Sequence, residues 1–246
     1  MWCVIPVAGR SSRLRDLTEG KPKSLLRIEG RSILLRLLEQ LPPAITDVCL
    51  IVPEDSEAVR SEVGREQHGI RVHYAVQPRP TGVADAISQA REHVRGSFLV
   101  VMGDVFYGEE LTPYLAAWKE SGADGAVLVE PTSEDQDRIG LVRVEAGEVV
   151  GIEKAHFDGQ TALRVCGMAV LPYRAIELPG EVLLGDTGES ELEGVITRLI
   201  QEGAKFTAVA YKGWRRNINT PDDVLQVEKH LEEPANLFAP AEQQTA

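Results

Sequence analysis

Hydrophobic and polar positions alternate in blocks along the first half of the chain. Short apolar runs bounded by glycine, proline or polar residues are typical of strands buried on both faces, and the amphipathic stretches between them are typical of helices. The predicted strands are residues 2–7, 47–52, 71–75, 97–102 and 125–130, and the predicted helices are residues 32–40, 56–64, 83–94 and 113–121. This order predicts an α/β fold, with a mostly parallel sheet that is flanked by helices on both faces.

The second half of the chain is less regular. Residues 141–145 and 149–153 alternate around Ala146-Gly147-Glu148, which predicts a hairpin. The remaining predicted elements are a strand at 163–171, a helix at 189–202, a strand at 205–210 and a helix at 221–232. The sheet is therefore expected to be mixed, with a small antiparallel insert that shapes part of a pocket. We predict one domain over residues 1–232 and a loosely ordered tail over residues 233–246, which is rich in Ala, Pro and Gln.

Charge and cysteine content narrow the possible partners. With 246 residues and a net charge of −12, the chain does not have the composition of a general nucleic-acid binder, and no apolar stretch approaches the length of a membrane span. Cys3, Cys49 and Cys166 each lie within an apolar run, so we expect buried, unpaired thiols in a cytoplasmic protein. Nothing in the pattern decides the oligomeric state, and a homo-oligomer is possible.

Cations follow the first predicted strand. The apolar run of residues 3–8 stops at Gly9, and the polar stretch that follows contains Arg13 and then Pro22-Lys23. A glycine-containing loop after a buried strand places backbone N–H groups and cations at the carboxyl edge of a sheet, where open α/β folds bind phosphorylated ligands. Arg13 and Lys23 could both reach one polyphosphate. The loop lacks the G-x-x-x-x-G-K-[ST] pattern, and a solvated basic loop is the alternative.

Two further segments follow predicted strands. Gln77 offers an amide donor and an acceptor that could read a base edge, and Gly82 could let the backbone approach a flat ring. Gly103 and Asp104 follow an apolar strand, where a carboxylate beside a polyphosphate would be a natural ligand for Mg²⁺. Each segment could also consist of ordinary turn and capping residues.

The middle region could line a sugar-phosphate pocket. Glu153 would accept hydrogen bonds from hydroxyl groups, and Lys154 would neutralise a phosphate. Gly140 and Gly167 lie on the neighbouring predicted strands. The alternative is that the Glu153-Lys154 pair is only a solvated strand end.

Two asparagines precede the last predicted helix. Thr220 and Pro221 are ordinary helix-capping residues, but Asn217 and Asn219 just before them could offer carbonyl oxygens to a hard cation. Asp104 and Asn217 could converge at the carboxyl edge of the sheet. Asn219 is the alternative amide ligand, because a strand-like register would point it in the same direction.

In order and spacing, these segments resemble the sugar-1-phosphate nucleotidylyltransferases, or NDP-sugar pyrophosphorylases, from about residue 4 to about residue 227. The most specific match is the A-G-x-x-x-R motif from Ala8 to Arg13, followed by Pro22-Lys23. The resemblance implies a Rossmann-like, glycosyltransferase-A-type fold. It also implies the Mg²⁺-dependent transfer of a nucleotidyl group from an NTP to a phosphorylated acceptor, a sugar 1-phosphate, which gives an NDP-sugar and pyrophosphate.

The resemblance also assigns the site residues. It implies phosphate contacts and catalytic roles for Arg13 and Lys23, and a catalytic, Mg²⁺-binding role for Asp104. The implied nucleotide-binding residues are Ala8, Gly9, Ser11, Ser12, Gln77 and Gly82. The implied sugar-phosphate-binding residues are Gly140, Glu153, Lys154, Gly167 and Glu191. Glu191 would contact sugar hydroxyls, although it could instead be a first-turn acid favoured by the helix dipole.

The chain departs from the family pattern at two places. Ser11-Ser12 stands where the family usually has Gly-Thr, and Asn217 stands where it usually has a metal-binding aspartate. Relatives that act on amino sugars or on molybdopterin share that asparagine, so the base and the acceptor stay open. A transferase with a non-sugar phosphate or phosphonate acceptor and a catalytically silent regulatory homologue are the alternatives. A glycosyltransferase is disfavoured, because Asp104-Val105-Phe106 lacks the second acid of an Asp-x-Asp motif.

Overall fold

Fourteen strands and six α-helices build the fold in the computed structural model, which describes residues 1–9, 14, 18, 21–132, 139–155, 162–178 and 190–232. The strands are β1 (Trp2–Pro6), β2 (Arg27–Ile28), β3 (Arg31–Ser32), β4 (Asp47–Val52), β5 (Glu66–Gln67), β6 (Ile70–Val76), β7 (Phe98–Val101), β8 (Val105–Tyr107), β9 (Gly125–Thr132), β10 (Ile139–Glu145), β11 (Glu148–Ala155), β12 (Ala162–Leu171), β13 (Phe206–Ala210) and β14 (Arg215–Asn217). The helices are α1 (Ile33–Gln40), α2 (Glu57–Val63), α3 (Val83–Gln89), α4 (Thr112–Ser121), α5 (Leu192–Gln201) and α6 (Pro221–Glu232). The tail predicted over residues 233–246 lies outside the described residues.

Ten of these strands form one mixed sheet, in the order β10-β11-β13-β9-β12-β7-β1-β4-β6-β5. Strands β1, β4, β6, β7, β9, β10 and β13 run in one direction, and β5, β11 and β12 run in the other. The mostly parallel, mixed sheet expected from the sequence is therefore confirmed. The antiparallel insert consists of the β10–β11 hairpin and β12, and it is part of the same sheet.

Both faces of the sheet are covered, which explains why its central strands are continuous apolar runs. Cys3 and Ile5 of β1 point to the face that packs against α1, α2 and α4, whereas Val4 points to the face that packs against α3 and α5. Side chains alternate between faces along a strand, so a strand buried on both sides needs an apolar residue at every position. None of the α-helices in the described part of the chain combines the length and the apolar composition that a membrane span requires.

The three cysteines are buried and unpaired, as the sequence predicted. Burial raises the pKa of the Cys49 and Cys166 thiols to about 12. Both thiols are therefore neutral at physiological pH and are poor nucleophiles.

A small ribbon of β8 and β14 lies beside the main sheet and was not predicted. The two strands pair antiparallel, and Asn217 is opposite Val105. Phe106, Ile218 and Val227 pack together in a separate apolar cluster, which attaches α6 to this ribbon. The ribbon brings residues 215–217 to the loop that follows β7.

An ion pair at the amino-terminal edge of the sheet is expected to make stability depend on acid pH. The buried Asp47 carboxylate accepts hydrogen bonds from Arg71 Nε at 2.7 Å and Arg71 Nη2 at 2.8 Å. The hydrogen bond from Arg71, supported by hydrogen bonds from Thr46 and His73, holds the pKa of Asp47 well below its usual range. The ionised carboxylate therefore stabilises the folded state above the ordinary Asp pKa of about 4, and this contribution is lost as the pH falls further.

We expect Asp47→Asn to lower the free energy of unfolding by about 1–3 kcal/mol at neutral pH, because it removes a charge-assisted hydrogen bond. The difference from the wild type should shrink as the pH falls below about 4, where the unfolded wild-type carboxyl becomes protonated. Urea unfolding of both proteins at neutral and acid pH measures this effect. A difference that stays constant down to pH 3 would show that the ion pair does not control the acid sensitivity.

Candidate functional site

A cleft of about 540 Å³ opens at the carboxyl ends of the neighbouring parallel strands β1 and β7. This is the edge at which open α/β sheets bind ligands, since the loops that follow parallel strands converge there. The predicted site residues that line the cleft are Ala8, Gly9, Lys23, Gln77, Gly82, Asp104 and Glu191. Arg13, Ser11 and Ser12, which belong to the predicted phosphate loop, lie outside the described residues.

Gly103 brings Asp104 to the edge of the cleft. A Cβ atom at position 103 would lie only 2.8 Å from the Pro6 carbonyl oxygen and 2.8 Å from a methyl carbon of Val7. Only glycine lets the loop after β7 approach the end of β1 this closely. Asp104 is the next residue, and its carboxylate therefore stands directly at the mouth of the cleft.

The Lys23 ammonium joins Asp104 to a third polar residue from a distant part of the chain, Asn219. Lys23 Nζ lies 2.6 Å from Asp104 Oδ2, and it donates a hydrogen bond of 2.9 Å to Asn219 Oδ1. The Lys23 side chain is 16% exposed and that of Asp104 is 34% exposed, so the ion pair is shielded from solvent on several sides. The contact brings together the predicted phosphate loop, the predicted metal-binding strand end and one of the two candidate asparagines.

The two asparagines differ in their surroundings. Asn217 ends β14, and its Oδ1 accepts a hydrogen bond of 2.8 Å from Nη1 of Arg215, whose buried guanidinium is paired with Glu130. Asn219 lies beyond the end of the strand, in the loop before α6, so the strand-like register that the sequence suggested does not extend to it. The amide oxygen that shares a cation with Asp104 is that of Asn219. The carbonyl of Asn217 is already hydrogen-bonded to an arginine.

A capping box fixes the position of Asn219. Asp223 Oδ2 accepts hydrogen bonds from the backbone N–H groups of Asn219 at 2.9 Å and Thr220 at 2.8 Å, and Asp223 N–H donates to Thr220 Oγ1. Burial by itself raises the pKa of Asp223, but hydrogen bonds from Asn219, Thr220 and Arg216 outweigh this effect and lower it. The carboxylate is therefore ionised at neutral pH. Asp223 was not among the predicted site residues, although the T-x-x-D spacing from Thr220 is typical of a helix cap.

Gln77 is held in one orientation beside the cleft. It is 5% exposed, and its Nε2 donates hydrogen bonds to the Gly82 carbonyl oxygen at 3.0 Å and to Asp85 Oδ2 at 2.8 Å. Both partners can only accept, so the amide nitrogen must face them. The acceptor Oε1 is therefore the Gln77 side-chain atom that these two hydrogen bonds leave for other partners. The sequence identified Gln77, but it did not reveal the role of Asp85.

Gly82 permits a close contact that the sequence did not indicate. Its φ is +112°, and a Cβ atom at this position would collide with the backbone of Ser190. Next to it, Val83 N–H donates to the Ser190 carbonyl oxygen at 2.6 Å, and Ala84 N–H donates to Ser190 Oγ at 3.0 Å. This contact holds the segment before α5 in place, so that Glu191 lines the cleft.

Of the predicted sugar-phosphate residues, Glu191 lines the cleft and the others lie elsewhere in the described part of the chain. Gly140 is opposite Lys154 in the β10–β11 hairpin, and a Cβ atom at Gly140 would lie 2.7 Å from Cγ of Glu193 in α5. The carbonyl oxygen of Gly167 accepts a hydrogen bond of 2.9 Å from the N–H of Met102, which lines the cleft. Glu153 is exposed and pairs with Arg143 at 3.1 Å. The structure therefore places Gly167 next to a cleft residue and Gly140 against α5, but it does not bring Glu153 into the cleft.

The oxygen donors of Asp104 and Asn219 have the chemistry to hold a hard divalent cation. Within the described parts of the chain, no group of three or more His, Cys, Asp or Glu side chains could hold a metal ion. A carboxylate oxygen of Asp104 and the amide oxygen of Asn219 nevertheless converge on a single cationic group, the Lys23 ammonium. Oxygen donors of this kind suit Mg²⁺, which binds to one or two protein groups and completes its octahedron with phosphate oxygens and water.

Two known proteins are similar to this chain over nearly its whole length. The chain is similar to the UTP–glucose-1-phosphate uridylyltransferase AglF of Haloferax volcanii, at 28% identity over 236 residues that cover 95% of this chain and 97% of that protein. It is also similar to the bifunctional protein GlmU of Methanocaldococcus jannaschii, at 25% identity over 236 residues that cover 96% of this chain and 55% of that protein. The chain thus spans about half the length of the second relative.

The fold is similar to that of a solved nucleotide-bound structure. The UTP-bound UGPase from Acinetobacter baumannii matches with a TM-score of 0.80 at 20% identity, over 96% of this chain and 95% of that chain. This likeness confirms the Rossmann-like α/β fold. The family model described as "Nucleotidyl transferase" matches residues 3–233, a span that contains every residue of the cleft described above. The chain therefore belongs to the nucleotidyl transferase family.

Proposed function

We propose that this protein transfers a nucleotidyl group from a nucleoside triphosphate to a sugar 1-phosphate, which yields an NDP-sugar and pyrophosphate. The observation that carries the proposal is the meeting of Lys23, Asp104 and Asn219 at the carboxyl edge of the sheet, in a chain of the nucleotidyl transferase family. The similarity to AglF over nearly the full length of both proteins supports a sugar 1-phosphate as the acceptor.

The reaction needs no protein nucleophile. An oxygen of the acceptor phosphate, which is ionised at neutral pH, attacks the α-phosphorus of the NTP. A new P–O bond forms there, the bond between the α-phosphorus and the bridging oxygen breaks, and pyrophosphate leaves with the electron pair. The neutral, buried thiols of Cys49 and Cys166 are consistent with a mechanism that uses no cysteine. Catalysis then depends on alignment and on neutralising the charge around the α-phosphorus.

The residues in and around the cleft have distinct roles in this reaction. Lys23 donates hydrogen bonds to the polyphosphate and stabilises negative charge as pyrophosphate departs, and the sequence resemblance gives Arg13 the same task. Asp104 and Asn219 would hold Mg²⁺, with Asn217 as the other candidate amide. When bound, the metal neutralises phosphate charge and polarises the α-phosphoryl group. Glu191, which lines the cleft, would accept hydrogen bonds from sugar hydroxyls, and Gly140 and Gly167 would border the acceptor phosphate.

The base subsite provides a prediction about nucleotide choice. We expect Gln77→Ala to weaken the discrimination among UTP, dTTP, CTP, GTP and ATP by about tenfold or more, because the variant loses an oriented acceptor for the base edge. Turnover itself should persist, since Gln77 does not contact the phosphates in this mechanism. The specificity constants of both proteins for the five nucleotides measure the effect. Unchanged ratios among the five would remove Gln77 from base selection.

Release of pyrophosphate tests the proposed function. The protein is incubated with Mg²⁺, with each of the five NTPs and with glucose 1-phosphate, galactose 1-phosphate, mannose 1-phosphate or N-acetylglucosamine 1-phosphate. We expect release with at least one sugar 1-phosphate and none without an acceptor. Release only with phosphocholine, a polyol phosphate or a phosphonate would replace the sugar with a non-sugar acceptor. Nucleotide binding without any turnover would identify a silent regulatory homologue.

A further inference from the structure

The Lys23 ammonium occupies the point at which the two candidate metal-binding oxygens meet. We propose that Lys23 is a built-in counter-ion for the metal site: it holds Asp104 and Asn219 in the nucleotide-free protein, and it must move away when a divalent cation binds. This inference rests on the proposed function, because it concerns the metal site of that same reaction. Lys23 would therefore have two positions: one on Asp104 and Asn219 in the nucleotide-free protein, and one on the phosphates when the nucleotide is bound.

The Lys23 ammonium and a magnesium ion cannot both bind the oxygens of Asp104 and Asn219. Lys23 Nζ is 2.6 Å from Asp104 Oδ2 and 2.9 Å from Asn219 Oδ1, and both are close hydrogen-bonding distances. A magnesium ion would lie about 2.0–2.1 Å from the same oxygens and would use the same lone pairs. Two positive charges in this partly shielded position would repel each other strongly, so the ammonium must leave before the metal can bind fully.

The surroundings of Lys23 favour the paired state in the absence of a ligand. Its side chain is 16% exposed, and it begins a 3₁₀ helix, Lys23–Leu25, which follows Pro22 and fixes the start of the side chain. The capping box around Asp223 holds Asn219, the second acceptor, in place. A lysine that is largely withdrawn from water needs a charged or polar partner, and these two oxygens supply it. The ammonium thereby lowers the affinity of the free site for metal.

A bound polyphosphate would draw Lys23 away from Asp104 and Asn219. The four-carbon stem of lysine lets its ammonium swing between partners while its backbone stays in place. Phosphate oxygens in the cleft offer the displaced ammonium new acceptors, so nucleotide and metal favour the binding of each other. The site would then bind metal tightly only when a substrate is present.

Binding of Mn²⁺ to the nucleotide-free protein tests the inference without any catalytic assay. Free Mn²⁺ is measured by electron paramagnetic resonance during titration of the wild type and of five variants. We expect Lys23→Met and Lys23→Gln to bind Mn²⁺ at least about tenfold more tightly than the wild type, because the competing charge is gone. Lys23→Arg keeps a cation at the site and should bind as weakly as the wild type.

Lys21→Met is the matched control, since it removes one exposed positive charge two residues away. It should change the affinity by less than about threefold, as expected for a screened surface charge. If Lys21→Met increased the affinity for Mn²⁺ as much as Lys23→Met does, the inference would be overturned. The effect would then come from the net positive charge of the loop and not from Lys23 itself. Adding Asp104→Asn to Lys23→Met should abolish the gain. A gain that survives this double substitution would place the metal elsewhere and also overturn the inference.

The outcomes separate this inference from the proposed function. Unchanged Mn²⁺ affinity in both folded neutral variants, checked by their circular dichroism, would overturn the counter-ion role even if the wild type releases pyrophosphate. Conversely, the Mn²⁺ titration can succeed in a protein that shows no turnover. In that case the proposed function fails, while the exchange between lysine and metal stands.

Discussion

Asp104→Ala should abolish nucleotidyl transfer, with turnover at least about 10³-fold below that of the wild type. The substitution removes a carboxylate oxygen from the predicted metal site, and it also removes the partner that holds Lys23 at 2.6 Å. Both losses act on the neutralisation of phosphate charge, which is the main task of the protein in this mechanism. Turnover is measured as pyrophosphate release at saturating substrates and Mg²⁺.

The control is Glu120→Ala, which removes an exposed carboxylate from α4 and leaves the cleft unchanged. It should keep wild-type turnover, and both variants should keep the wild-type circular dichroism spectrum. Substantial turnover by a folded Asp104→Ala protein would contradict the role of Asp104 and would move the metal site away from the end of β7.

Lys23→Ala should lower turnover by about 10²–10³-fold, which is the usual effect of removing one group that stabilises charge in the transition state. Lys23 begins a short helix in a loop and is not part of the apolar core, so the fold should be retained. The value of kcat should fall even at saturating nucleotide, because the ammonium acts on the departing pyrophosphate as well as on the bound substrate. The resemblance predicts a loss of similar size for Arg13→Ala.

Lys119→Ala, which removes an exposed lysine of α4, provides the control for net charge. Turnover by Lys23→Ala within threefold of this control would contradict the assignment of Lys23 to the phosphates. A rise in KM with unchanged kcat would limit Lys23 to binding the substrate.

The parallel half of the fold was predictable because each of its strands is a short apolar run that can be recognised in the local sequence. The apolar runs that became β1, β4 and β7 are buried on both faces, so they need no particular periodicity to be recognised. The last helix was also predicted with the bounds that the structure gives, because Thr220-Pro221 marks its start. The β8–β14 ribbon was missed. Its strands have three residues each, and Arg215-Arg216-Asn217 has no apolar pattern.

The predicted site residues were recognised by their types, but their partners could not be. Lys23 and Asn219 are 196 positions apart in the chain, so no local pattern could connect them. The orientation of the Gln77 amide depends on Asp85, and the need for glycine at position 82 depends on Ser190. Glu153 was expected at the sugar, but the structure shows it on the surface, where it pairs with Arg143. Such relations follow from tertiary packing, which the order of residues along the chain does not reveal.

The central claim is that an oxygen of the acceptor phosphate attacks the α-phosphorus of the NTP in this cleft. It is tested most directly with a sugar 1-phosphate whose non-bridging phosphate oxygens carry ¹⁸O, incubated with an NTP and Mg²⁺. The account predicts an NDP-sugar that retains all of the label, with one ¹⁸O in the bridge between its two phosphorus atoms, and an equal amount of unlabelled pyrophosphate. Label in pyrophosphate, or NTP cleavage without an NDP-sugar, would contradict it.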